Sequence, residues 1–175
     1  MNTQRLAVGL VLVLVIPACG GGSSSSTSVT TTTTLPCEQS VVFDDNGPVP
    51  ARTVVAVPFT LNATARIDIV VDWTSPSSPI GVYAVQGACD LEHFNARTCH
   101  FVAQSEPSTV KPRRLSTATV GSGEYAVYLA NFAEQDESMA LQIFSRSASC
   151  PALAGAPVSA QGRGTAPTVE RMIGR

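Results

Sequence analysis

Between Cys37 and Cys150 apolar residues recur at every second position. A period of two sends alternate side chains to opposite faces of an extended backbone, so these segments read as strands with one face turned inward. In TVVAVPFTL, Val55, Val57, Phe59 and Leu61 share a face. In ARIDIVVDW, Ala65, Ile67, Ile69, Val71 and Trp73 alternate with Arg66, Asp68, Val70 and Asp72. EYAVYLANF puts Tyr125, Val127 and Leu129 on one face and Ala126, Tyr128, Ala130 and Phe132 on the other, and MALQIF aligns Met139, Leu141 and Ile143. Shorter runs at 41–43, 80–85, 99–104 and 115–120 bring the total to about eight strands. DDNGP, LNAT, TSPSSP and GSGE separate them as turn signals. No segment carries a helical period. The expected fold is all-β: an antiparallel β-sandwich or jelly roll. Pro58, which has no N–H to give a ladder, marks an edge position or a bulge.

The chain has five cysteines, an odd number. Cys19 closes an uncharged run, Leu6–Ile16, that follows the short, positive MNTQR. As a helix that run spans about 16 Å, against a bilayer core of about 30 Å. It is too short to cross a membrane comfortably and fits the apolar part of an export signal. IPAC, Ile16 to Cys19, resembles the lipobox of bacterial lipoproteins, with an aliphatic residue three before the cysteine and a small one just before it. The resemblance implies cleavage before Cys19, diacylation of its sulfur and attachment to membrane lipid through Cys19. Two or more acyl chains hold a protein durably where one does not. The expected location is the bacterial cell envelope. No aspartate follows Cys19, which favours the outer membrane in a host with two membranes.

The expected organisation is a signal peptide at 1–18, a lipidated cysteine and tether at 19–36, a domain at 37–150 and a tail at 151–175. The tether, GGGSSSSTSVTTTTTLP after Cys19, is uncharged and has no apolar period, so it is expected to be flexible. The tail is rich in Ala, Gly and Pro and is expected to be mostly disordered, with a short turn at 168–173.

With Cys19 assigned to lipid, Cys37, Cys89, Cys99 and Cys150 remain, and an exported protein meets an oxidising compartment. Of three connectivities, Cys89–Cys99 and Cys37–Cys150 are favoured: one staples a short loop and the other ties the ends of the domain. The chain-entropy model gives about 2.5–3 kcal/mol for the first and nearly 5 (about) for the second. Cys89, His93, Cys99 and His100 also form a candidate Cys2His2 zinc set. Its spacing is poor, because Cys99 and His100 are adjacent and adjacent strand residues face opposite ways.

IDIVVDW and GSGEYAVYLANF are similar to parts of the bacterial pre-peptidase C-terminal domain family. The matching positions are Asp68, Asp72, Gly123, Tyr125 and Asn131. The resemblance spans roughly Thr53 to Ser145. It implies a β-sandwich with a role in secretion, localisation or polymer binding. Family members are appended to secreted hydrolases, and no catalytic domain is expected in this chain.

Charge excludes one class of partner. The domain carries twelve acids and seven bases, and the only basic cluster is KPRR, Lys111 to Arg114. Nucleic-acid binders gather Lys and Arg on one face, so no nucleic acid is expected. No nucleophile–base motif, HExxH or phosphate loop is present, and neither an enzyme nor a cofactor is expected. Asp68 and Asp72, on one face of one strand, are candidate ligands for calcium or a sugar hydroxyl, with a solvated outer face as the plainer reading. Asp44–Gly47 reads as a turn; it lacks the spacing of an EF-hand calcium loop. Trp73 and Tyr83 are a candidate sugar-stacking pair, with core packing as the default for Trp73. The expected function is therefore a non-catalytic binding or structural module that contacts an envelope polysaccharide or a partner protein. A calcium- or zinc-dependent binder or a small envelope hydrolase is the alternative.

Overall fold

The computed structural model describes residues 37–150 and 169–174. The strands are β1 (Gln39–Val49), β2 (Thr53–Leu61), β3 (Ala65–Trp73) and β4 (Ile80–Gln86), followed after a single-turn helix α1 (Leu91–Asn95) by β5 (Phe101–Ser108), β6 (Arg113–Val120), β7 (Gly123–Asn131), β8 (Glu137–Arg146) and β9 (Arg171–Gly174). They form two sheets. One has the order β1-β8-β3-β6 and the other β5-β4-β7-β2-β9. Every pairing is antiparallel except β9, which runs parallel to β2. The fold is the expected all-β sandwich.

The core between the sheets is built from the faces the period-two pattern identifies. Val55, Val57 and Leu61 of β2, Ile67, Ile69, Val71 and Trp73 of β3, Tyr125, Val127 and Leu129 of β7 and Met139, Leu141 and Ile143 of β8 meet there, all at 4% exposure or less. The five-stranded sheet also buries its outer face. Val54, Tyr83, Val85, Ala126, Tyr128 and Ala130 form a second apolar cluster, roofed by Phe94 of α1 and by Val169. A sheet covered on both faces reads as continuous hydrophobic sequence, which is why IGVYAV and YAVYLA show little polar alternation.

Three local expectations change. Asp44–Gly47 is not a turn: it lies inside β1 and pairs with Met139–Gln142 of β8. β1 is an edge strand of its sheet, and charged residues with Pro48 suit an edge because they discourage pairing with another chain. Leu91–Asn95 forms α1, capped by Asp90; one turn is too short to show a helical period. Arg171–Gly174 is a strand where a turn is expected, so the sandwich takes a ninth strand from beyond Cys150. The positions 1–36 and 151–168, with the signal, Cys19, the tether and most of the tail, lie outside the described residues. Pro58 is exposed on β2 just past the stretch that β9 covers, where the outer side of β2 is an edge.

Candidate functional site

The four domain cysteines pair as expected. Cys37 bonds Cys150, Cα to Cα 4.8 Å, and Cys89 bonds Cys99, Cα to Cα 5.8 Å. The second bridge closes a loop that carries α1. In that loop Asp90 caps the helix: its Oδ1 accepts from the His93 N–H at 2.9 Å and meets His93 Nδ1 at 2.8 Å. The hydrogen bond from the His93 backbone and that from its ring hold the Asp90 carboxyl below its usual range, and the same side-chain bond raises His93. The zinc set is not assembled: both sulfurs lie in the disulfide, His93 is turned to Asp90 and His100 is exposed. Among the described residues no group of three or more His, Cys, Asp or Glu side chains is placed to hold a metal ion.

Asp68 and Asp72 share a face but not an environment. Asp68 is fully buried. Its Oδ2 pairs with Arg146 Nη1 at 3.0 Å and its Oδ1 accepts from the Ser116 hydroxyl. Arg146 and Ser116 come from β8 and β6, the two neighbours of β3. The solvated-face reading therefore fails for Asp68, because flanking strands supply a cation and a hydroxyl that close over it. Asp72 is half exposed and pairs with Lys111 Nζ at 3.1 Å, while its Oδ1 accepts from the Trp73 N–H at 2.8 Å. The two carboxylates do not converge on a ligand.

Trp73 and Tyr83 do not form a platform. Trp73 is in the core between the sheets, and Tyr83 lies in the second cluster on the far side of the five-stranded sheet. Tyr83 stands edge-on to Phe94, ring centres 5.1 Å apart, and the Arg97 guanidinium lies 4.8 Å over its ring. Burial raises the Tyr83 hydroxyl above its usual range, against the opposing charge of Arg97. Arg97 holds this position from a left-handed backbone, φ 59°.

Two further polar centres are buried; the sequence reading missed Glu137 and marked Asn131 only as a position of the family resemblance. Glu137, at 2% exposure, accepts from the Ser78 and Thr74 hydroxyls, the Ser75 N–H at 2.9 Å and the Gln135 amide at 3.2 Å. Burial alone would raise its carboxyl, but these donors prevail and lower it to about 2. It thereby pins the loop 74–78. Asn131, fully buried, donates to the carbonyls of Val49, Pro50 and Gln135 and accepts from the Ala133 N–H at 2.9 Å. It joins the end of β7 to the β1–β2 corner. Near the other end of β7, the Tyr125 hydroxyl donates to the Gly121 carbonyl at 2.9 Å, and Gly123 takes φ 145°, open to glycine. The positions Gly123, Tyr125 and Asn131 thus fasten the two ends of one strand. A signal existed for Glu137, an acid followed by SMALQIF in an inward-reading strand, but three of its four donors, Thr74, Ser75 and Ser78, are about sixty residues away in the chain.

Two open depressions lie among the described residues. One, about 610 Å³, lies by the Cys37–Cys150 end and includes Glu38, Ser40, Thr64 and Arg146. The other, about 500 Å³, runs beside β2 and is lined by Pro58, Phe59, Thr60, Glu124, Tyr125 and Gly174, among others. The described histidines, His93 and His100, line neither depression. No family model and no curated protein sequence matches this chain.

Proposed function

We propose that the protein is a membrane-anchored bacterial envelope lipoprotein: a non-catalytic β-sandwich that binds or supports other envelope components from a lipid on Cys19. The observation that carries this reading is the cysteine pairing. Cys37–Cys150 and Cys89–Cys99 use all four cysteines of the domain. Of the five in the chain, that leaves Cys19, which follows the apolar run and its small residue. Two stable disulfides suit an exported protein rather than a cytosolic one. The position of Cys37 suits a tethered domain: the first bridge begins where the Ser/Thr-rich stretch stops and ties that entry point to Cys150.

The domain is organised as a rigid carrier. Its buried carboxylates, Asp68 and Glu137, are used by structural partners. Of the two open depressions, the groove beside β2 is the one we assign to a polymer or partner protein. The test is fractionation of the producing bacterium. The wild-type chain is expected in the membrane fraction and released only by detergent, and Cys19→Ser in the soluble export fraction. Equal distribution of the two proteins would overturn the lipid anchor.

A further inference from the structure

Val169–Gly174 is held against the sandwich in three ways. β9 pairs in parallel with Thr53–Ala56 of β2. The Asn95 side chain grips one residue of the segment as a neighbouring strand would: Nδ2 donates to the Val169 carbonyl at 3.0 Å and Oδ1 accepts from the Val169 N–H at 3.1 Å. The Glu170 N–H donates to the Arg52 carbonyl at 2.8 Å. Below the segment, Val169 and Met172 complete the second apolar cluster over Val54 and Tyr128.

β2 continues to Leu61, and among the described residues β9 covers it only as far as Ala56. Beyond Gly174 the groove of about 500 Å³ goes on over Pro58, Phe59 and Thr60. The hold is also short, four residues in the slightly weaker parallel pairing.

We propose that the β2 edge is a strand-acceptor site, and that Val169–Gly174 of a second copy can fill it in exchange for the chain's own segment. Every copy carries both donor and acceptor. The connection, residues 151–168, reaches about 60 Å when extended, roughly twice the length of a nine-residue strand at about 3.3 Å per residue. A donor can therefore leave its own body and reach a neighbour's. Reciprocal exchange closes a dimer, and one-way exchange extends a row of copies. Nothing in this depends on the lipid at Cys19, so its failure would leave the anchor untouched.

The experiment uses the full mature chain in detergent. Ala56 and Gly174 are register partners, and a Cβ at Gly174 meets nothing within 4 Å. Ala56→Cys is placed in one preparation and Gly174→Cys in another, and the two are mixed and mildly oxidised. The expected product is a cross-linked mixed dimer whose yield rises with concentration. Ile173→Pro in the donor copy, which removes a ladder N–H, should cut that yield about tenfold. The double variant Ala56→Cys/Gly174→Cys reports pairing within one chain. If it closes on itself while the separate variants stay monomeric at every concentration, exchange with a second copy is overturned. If neither cross-links, the strand pairing itself is overturned.

Discussion

Two carboxylates on one strand show how much a single residue depends on its neighbours. Asp68 is sealed under Arg146 and Ser116, while Asp72 meets Lys111 in the open. Removing one partner of a buried pair leaves an uncompensated charge, whereas an exposed pair contributes little. Arg146→Ala is therefore expected to cost about 3–5 kcal/mol, and Asp72→Asn less than about 0.5 kcal/mol, both read by urea denaturation. Comparable losses would contradict the difference in burial. Glu137 has no cation among its hydrogen-bond partners; the Ser78, Thr74 and Gln135 side chains and the Ser75 amide hold it ionised. Its folded value of about 2 lies below the ordinary 4.5, so the ionised state binds protons less readily folded than unfolded. Its stabilisation is present above pH 4.5 and lost as pH falls through about 2. The shift corresponds to about 3 kcal/mol. Glu137→Gln should lower stability at pH 7 by about 2–3 kcal/mol and flatten the acid side of the stability profile. An unchanged profile between pH 5 and 2 (about the window of the shift) would contradict the assignment.

At the scale of elements, legibility follows burial. The inward faces of β3 and β8 are plain in the sequence because a half-buried strand writes its burial as a period of two, whereas β7, buried on both faces, reads as a continuous apolar run. α1 and β9 are not legible, since five and four residues are too few for a period to show. β1 was misread at DDNG because turn-forming residues also suit an exposed edge, and only the ladder to β8 decides between them. The partners of Asp68 were hidden for another reason: Ser116 and Arg146 lie 48 and 78 residues away and meet it only once the sheet is assembled. The disulfide pairing was legible from loop lengths, but the roof that the Cys89–Cys99 loop makes over Tyr83 was not. That roof can be tested from below. A Cβ on Gly81 would sit 2.7 Å from the Tyr83 ring, and the ring is held by Phe94 and Arg97. Gly81→Ala should cost about 1–3 kcal/mol and lower the midpoint of thermal unfolding. A variant as stable as wild type would mean that the outer cluster yields easily.

The whole molecule combines a sandwich covered on an unusual side with an entry point locked by a bridge. Cys150 closes that lock, and its surroundings are tied to the four-stranded sheet: Arg66 donates to the Cys150 carbonyl at 3.2 Å, and Arg146, the partner of Asp68, lies 3.7 Å from the Cys37 sulfur. Pull on the chain at Cys37 would thus be borne by a covalent link and the four-stranded sheet rather than by β1 alone. The account that joins these parts, a lipid at Cys19 and disulfides at the other four cysteines, makes a single mass prediction. Intact mass spectrometry of the protein extracted from membranes by detergent, without reduction, should find a chain beginning at Cys19, carrying two or three acyl groups, and gaining four hydrogens (about 4 Da, two per bridge) on reduction. A chain beginning downstream of Cys19, or one with Cys19 present and unacylated, would contradict it.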